Sequence, residues 1–268
     1  MKYIFILLAF FSLFSCCNIK MSRKIIIPDY LNEISGMSFD KTDSTIICIN
    51  DGGNEPVIYK TKNARNFSSH KLEIENIDWE ELSIDENNFY IADFGNNSLN
   101  RDTLKIFILN KDFKSSNENA INFVCNHQRA PFNFEAMFDI GDSLFLITKK
   151  QKSKYCYVFS LPKQKGTYNI APFDSARIKG KITGADYDEN LKRLVLVGYK
   201  NYFPFIIIKE NANSQNAIKK PYRKKLFISK PALQTEAVAI KSKKEIIISA
   251  EKNPLRKAAM YFIKLKAY

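Results

Sequence analysis

Histidine is nearly missing from this chain, which holds only His70 and His127. A three-histidine zinc site is therefore excluded, and no H-E-x-x-H pair exists to seat a protease zinc. No G-x-S-x-G, G-x-x-x-x-G-K-[ST] or G-x-G-x-x-G stretch occurs, so the nucleophile elbow, the P-loop and the dinucleotide fingerprint are absent too. Sustained i, i+3, i+4 apolar spacing is also lacking, which excludes a helical bundle. Of five cysteines, three lie beyond the N-terminal region: Cys48, Cys125 and Cys156. An odd number argues against a full disulfide framework. Each sits in an apolar run, as a buried free thiol would. Trp79 is the single tryptophan. Its position favours packing between structural units over stacking on a sugar.

What the chain does have is lysine. Lys+Arg number 41 against 28 Asp+Glu, a net charge of +13 over 268 residues, with 45% hydrophobic residues. That composition is globular. Apart from Lys-Lys-Pro-Tyr-Arg-Lys-Lys at 219–225, the basic residues are dispersed. Dispersed lysine reads as a solvated surface rather than a nucleic-acid footprint. A monomer with no nucleic-acid partner is expected.

Residues 1–15 read MKYIFILLAFFSLFS: a positive Lys2, then an apolar run too short for a finished membrane span. The run ends Leu13-Phe14-Ser15-Cys16, which looks like a bacterial lipobox, with Cys16 the acylated residue. The expectation is a signal peptide at 1–15, a lipidated tether at 16–23 and one domain at 24–268. The protein would then be anchored by lipid in a bacterial envelope, at the outer membrane or cell surface.

The remaining apolar runs are short, β-branched or aromatic, and bounded by Asn, Asp, Gly, Lys and Pro. TIICIN, FYIADF, LKIFIL, LFLITK, RLVLVGY and EIIISA are examples. This is strand chemistry. The segments EISGMSFD, WEELSIDE, FEAMFDIG, ITGADYDE and TEAVAIKS recur about every 50 residues and align, with Ser35, Glu80, Glu135, Thr183 and Glu236 in register. A period near 50 with about four strands per unit is the signature of a β-propeller. Five blades account for the chain. The last blade is one strand short, and Lys24–Pro28 can supply it, closing the ring without an exposed edge. Six blades is the alternative, if 108–133 hides a degenerate one. A two-sheet sandwich would not give the regular period.

In such a ring the start of each innermost strand and the end of the next meet near the axis on one face. Glu33, Asn50, Asp51, Glu80, Asp93, Asn97, Glu135, Glu236 and Glu251 are thereby candidates for a ligand or metal site. Lys149 and Arg101 are candidates for holding an anionic group. Two explanations of the repeated glutamates stand open. They could form an oxygen-rich site for Ca²⁺ or for a cationic or polyol ligand. They could instead accept backbone N–H groups from neighbouring blades and fix the ring.

EISGMSFD…INDGGNEPVIY, DWEELSID…YIADFGNN…R, FEAMF…LFLITKK, ITGADYD and TEAVAI resemble stretches of bacterial exported propellers, the SdiA-regulated and the esterase-like phytase-like families. The resemblance implies a propeller and an exported setting. It points to Glu33, Asp51, Glu80, Asp93 and Asn97 as the positions matching shared motifs. Glu81 departs from the second Asp of D-W-E-D, and Ala92 from the first Gly of the Asp-Gly stretch. The function expected is an envelope module binding a glycan, a peptide or another envelope protein at an acidic axial site. The alternative is a Ca²⁺-dependent hydrolase of a phosphoester or lactone.

Overall fold

Runs of Ile, Val, Leu and Phe bounded by turn residues pair with their neighbours in sequence, and almost the whole chain becomes antiparallel sheet. The computed structural model describes residues 19–114, 116–149, 154–201, 203–227 and 233–265. After β1 (Ile19–Ile26), blade 1 holds β2 (Ile34–Asp40), β3 (Thr45–Asn50), β4 (Val57–Thr61) and β5 (Ser68–Lys71). Blade 2 holds β6 (Trp79–Ile84), β7 (Asn88–Asp93), β8 (Leu104–Asn110) and β9 (Ala120–Cys125). Blade 3 holds β10 (Phe134–Ile140), β11 (Ser143–Thr148) and β12 (Cys156–Pro162). The chain then crosses through β13 (Gly166–Ile170) and completes the blade with β14 (Asp174–Ala176). Blade 4 holds β15 (Lys181–Asp188), β16 (Arg193–Lys200), β17 (Phe203–Glu210) and β18 (Arg223–Leu226). Blade 5 is β19 (Thr235–Ser242), β20 (Glu245–Ala250), β21 (Ala259–Leu265) and, outermost, β1.

The protein is thus a five-bladed β-propeller closed by its N-terminal strand. Two details differ from the sequence expectation. The closing strand begins at Ile19 rather than Lys24, so residues 19–23, expected as tether, are already sheet. β13 pairs in parallel with β9, giving blade 2 a fifth strand drawn from blade 3. Residues 108–133 therefore hide no sixth blade. They form the end of β8, a loop, β9 and the approach to β10. Cys16 and residues 1–18 lie outside the described residues.

The core is five apolar layers, one between each pair of adjacent blades. Trp79, Ile47, Ile49 and Phe107 fill the layer between blades 1 and 2. Met37, Cys48, Ala239 and Phe262 fill the layer between blades 5 and 1 and so close the ring. Burying each large side chain contributes about 1.5–3 kcal/mol. Trp79 is fully buried and donates its indole N–H to the Glu75 carbonyl at 3.0 Å, so it packs between blades. Cys48 and Cys156 are buried free thiols, and Cys125 is half-buried.

The inner strands β2, β6, β10, β15 and β19 line the axis. They run from an upper mouth, at Ile34, Trp79, Phe134, Lys181 and Thr235, to a lower face. Their close approach needs small residues. A Cβ on Gly36 would meet the Leu82 backbone nitrogen at 2.7 Å.

Candidate functional site

Each inner strand has a register shift at its start. The residue opposite no partner is Glu80 in blade 2, Glu135 in blade 3, Thr183 in blade 4 and Glu236 in blade 5, and the same shift brackets Ser35 in blade 1. The position repeated in sequence is therefore a β-bulge in every blade. A bulge re-aims the side chain of the extra residue, here at the upper mouth.

The five bulge residues divide by chemistry. Ser35 donates its hydroxyl to the Trp79 carbonyl of the next blade at 3.0 Å, and Thr183 donates to the Thr235 carbonyl at 2.5 Å. These are blade joints. Among the described residues, Glu80 and Glu236 receive no backbone N–H. Glu135 accepts the Asn133 side-chain amide at 2.6 Å and the Lys149 ammonium at 2.7 Å. Of the two explanations left open for the repeated glutamates, the clamping of blades through backbone N–H groups is therefore not what the hydrogen bonds of Glu80, Glu135 and Glu236 show among the described residues. Backbone N–H groups of other blades are met instead by Glu81, which reaches across the axis to blade 4, and by Asp186, which reaches the adjacent blade 5. Glu81 accepts the N–H groups of Leu82 and Ala185, both at 3.0 Å, and Asp186 accepts that of Ile240 at 2.5 Å.

One carboxylate oxygen from each of Asp51, Asp78 and Glu80 lies within 4.8 Å of the other two. Local structure places all three. Asp51 directly follows β3, where its N–H reaches the Glu33 carbonyl at 2.8 Å and its carboxylate accepts the Gly52 N–H at 2.5 Å. Asn76 joins the turn to the next blade by donating to the Asp51 carbonyl at 2.8 Å and accepting the Trp79 N–H at 3.1 Å. Asp78 is held by its own N–H on the Asp93 carboxylate, 3.2 Å, and by its carbonyl, which accepts the Gly95 N–H at 3.1 Å. A Cβ on Gly95 would stand 2.3 Å from the Asp78 carboxyl carbon and 2.5 Å from a Glu80 oxygen, so any side chain there would push both carboxylates out of their present positions.

Electrostatics follows from this crowding. Burial, then the charges of Glu135 and Asp51, push the Glu80 carboxyl well above its ordinary range. Burial is also the main cause for Asp51, raised to about 7 with Asp78, Glu135 and Glu251 adding to it, and for Asp78, also raised. Glu236 is raised well above normal by burial, and Glu251 is raised to about 7. Lys149 is the central cation. Burial alone would lower its pKa, but Glu135, Glu236 and Tyr199 outweigh that and raise it.

The lower face makes the contrast. It too has a ring of carboxylates, Asp40, Asp85, Asp139 and Asp188, but each faces a lysine. Lys163 lies 3.0 Å from Asp85 and 2.7 Å from Asp139, Lys41 lies 2.5 Å from Asp188, and Lys111 lies 3.9 Å from Asp40. Among the described residues Asp51, Asp78 and Glu80 form no ion pair.

The other candidates separate. Asp93 is buried and binds the Ile77 and Asp78 N–H groups and Arg101, so it shapes the loop rather than offering free oxygens. Arg101 donates to Asp93 at 2.7 Å and to the Gly95 carbonyl at 2.8 Å, which corrects its expected role as an anion binder. Glu33 and Asn97 sit exposed on the rim, receiving the side-chain amides of Asn54 at 2.7 Å and Asn133 at 3.0 Å. Asn50 is buried and gives its amide to the Tyr30 carbonyl at 2.7 Å, while its own side-chain oxygen has no partner. Glu251 accepts the Gln234 amide. Asp78, Asn76 and Asn133 escaped the sequence reading. Asp78 opens the D-W-E-E stretch and was visible there. The two asparagines carry no repeat signal.

No protein-family model matches the chain, and no curated protein matches it in sequence. Solved structures do. A proposed exo-β-1,3-galactanase from Bifidobacterium bifidum s17 superposes with a TM-score of 0.55 at 10% identity, covering 88% of this chain and 92% of that one. The PQQ-bound aldose sugar dehydrogenase of Streptomyces coelicolor superposes with a TM-score of 0.52 at 9% identity, covering 92% and 98%. At such identities the likeness shows the propeller fold and nothing finer.

Proposed function

We propose that this chain is a lipid-anchored binding propeller of a bacterial envelope, and that its upper mouth takes a hard divalent cation of the calcium class on Asp51, Asp78 and Glu80. The observation that carries the reading is the set of three unpaired carboxylates beside a face whose counterpart ring is neutralised by lysine. The donor set fits. It is all oxygen, with no imidazole or thiolate to favour a softer metal. Oxygens up to 4.8 Å apart can share an ion with bonds of about 2.4 Å, within the calcium range. A bound cation would favour the ionised form of all three carboxyls, which burial first and neighbouring acids second now disfavour, and its remaining coordination could be met by a glycan or peptide oxygen. The SdiA-regulated and phytase-like motifs support the same mouth, because Asp51 and Glu80 match them.

The test is a thermal melt of the full chain in detergent at pH 8, EDTA-treated, with and without CaCl₂. Saturation at about 100 times the dissociation constant stabilises by about 2.7 kcal/mol, a rise of roughly 5–10 °C at this size. Glu80→Gln should lose the rise. No rise in the unaltered chain overturns the cation site.

Glu251 favours a second reading. A carboxyl raised to about 7 is suited to general acid–base work, so a cation-dependent hydrolase of a phosphoester or lactone is the alternative. Turnover of such substrates that is lost in Glu251→Gln while calcium binding persists would select it.

The envelope address rests on residues 1–16. Among the described residues no helix is long and apolar enough to cross a membrane. Intact mass of the membrane-extracted protein should show acyl chains on Cys16, lost in Cys16→Ser.

A further inference from the structure

The topology of blade 5 fixes where the chain's N-terminal end meets the ring. β19 descends from the upper mouth to Ser242, and β20 rises to Ala250. β21 descends to Leu265, and β1 rises beside it, with Ile19 opposite Leu265 and Ile26 opposite Ala259. Ile19 therefore lies at the lower face, the end of the axis away from the acidic mouth. Cys16 stands three residues before it, a span of at most about 11 Å.

That corner is strongly basic. Lys20 pairs across the strands with Lys264, and Lys264 pairs with Glu245 of β20. The β19–β20 turn brings Lys243 and Lys244 beside them, and the Lys244 carbonyl accepts the Leu265 N–H at 2.8 Å. Lys20, Lys243, Lys244 and Lys264 are all exposed, and among the described residues none of them forms an ion pair. The two carboxylates that reach this corner are engaged: Glu245, across the strands from Lys264, is taken by Lys241 at 2.8 Å, and Glu210 by Arg193, which also donates to the Lys243 carbonyl. Elsewhere on the lower face Lys41, Lys163 and Lys192 each face an acid.

We infer that the lower corner of blade 5 docks on the membrane, Lys20, Lys243, Lys244 and Lys264 meeting anionic phospholipid headgroups so that the acidic mouth opens away from the bilayer. This rests on the lipid anchor at Cys16 proposed above. The acyl chains on Cys16 hold the chain at the bilayer, and the basic patch beside them selects which face of the propeller turns to the headgroups. The short span decides the orientation. With the anchor in the bilayer, the corner carrying Ile19 cannot stand more than a few residues' length from the headgroups. The mouth, at the opposite end of the axis, is left free for ligands from the aqueous side.

The experiment uses the full acylated chain in vesicles containing phosphatidylglycerol and a headgroup energy acceptor, in a background with Cys17→Ser and Cys125→Ser, which leaves only the buried Cys48 and Cys156 beside the acylated Cys16. A fluorophore is placed at Ser242→Cys on the lower turn or at Ser98→Cys on the upper rim. Stronger transfer from position 242 than from 98, with partition onto anionic over neutral vesicles cut at least tenfold by Lys243→Glu with Lys244→Glu, is the expected result. It follows from about fivefold per lysine near an anionic surface. A melting temperature unchanged in that double variant shows that the fold is intact. Chain that floats with the vesicles but gives equal or reversed transfer, or an unaltered vesicle preference in the double variant, overturns the docking while leaving the anchor. Chain that does not float overturns the anchor, and the docking with it.

Discussion

The Glu81 carboxylate accepts the backbone N–H of Ala185 at 3.0 Å, joining blade 2 to blade 4 across the axis. Its neighbour Glu80, one bulge away, receives no such donor among the described residues and faces Asp51 and Asp78 instead. Two adjacent glutamates thus do opposite things, one tying the ring and the other opening a site. Removing them should have opposite effects. Glu81→Ala leaves the buried Leu82 and Ala185 N–H groups unmet, each costing about 1–3 kcal/mol. Glu80→Gln relieves repulsion and should leave the cation-free protein as stable or more stable at pH 8. Urea unfolding of both variants separates the roles, and equal losses would refute the division.

Stability without cation should depend on pH in a stated direction. Asp51 and Glu251 are raised to about 7 in the folded protein, from ordinary values near 4. Folding therefore favours their protonated forms. Their contribution is fully present below about pH 4 and is lost as pH rises through about 7. The cation-free chain should melt progressively lower across that window from this source, and calcium should restore the loss most at pH 8. Binding should strengthen over the same range, because protons compete with the metal. Melts at half-unit pH steps, with EDTA or calcium, provide the check. A calcium effect as large at pH 5 as at pH 8 would contradict it.

Gly95→Ala tests whether crowding builds the site. The added methyl would occupy the space of the Asp78 and Glu80 carboxylates. Calcium binding measured by calorimetry should fall at least tenfold, as misplacing one of three ligands implies. Gly53, whose Cβ would meet nothing, has φ +79° and is a control for strain alone. Gly53→Ala should cost stability but keep calcium affinity.

Arg101 and Asp93 form a pair with little access to water, with side-chain exposures of 17% and 1%. Arg101→Ala leaves a buried carboxylate uncompensated, at about 3–5 kcal/mol. Adding Asp93→Asn should recover part of that loss. A double-variant cycle by urea denaturation measures the coupling, and additive losses would show that the pair does not act as a unit.

The strand chemistry, the period near 50 and the repeated position at Ser35, Glu80, Glu135, Thr183 and Glu236 were legible because each blade repeats one local pattern. Blade number and closure by the N-terminal strand followed from counting strands, although β1 reached back to Ile19. The parallel pairing of β13 with β9 was not legible, since a short run such as Gly166–Ile170 carries no mark of the blade it will join. That the repeated position is a bulge was hidden as well. A bulge is a relation between two strands, and one strand's sequence does not state it.

The sequence by itself thus determined the propeller, the mouth at which its carboxylates gather and the residues repeated there, because period and alternation are local and recur. Only the tertiary structure decided which carboxylates tie blades and which stand unpaired. That choice depends on donors arriving from strands a hundred residues away, such as the Ala185 N–H at Glu81, and on the lysines that reach one face of the ring and not Asp51, Asp78 and Glu80 on the other.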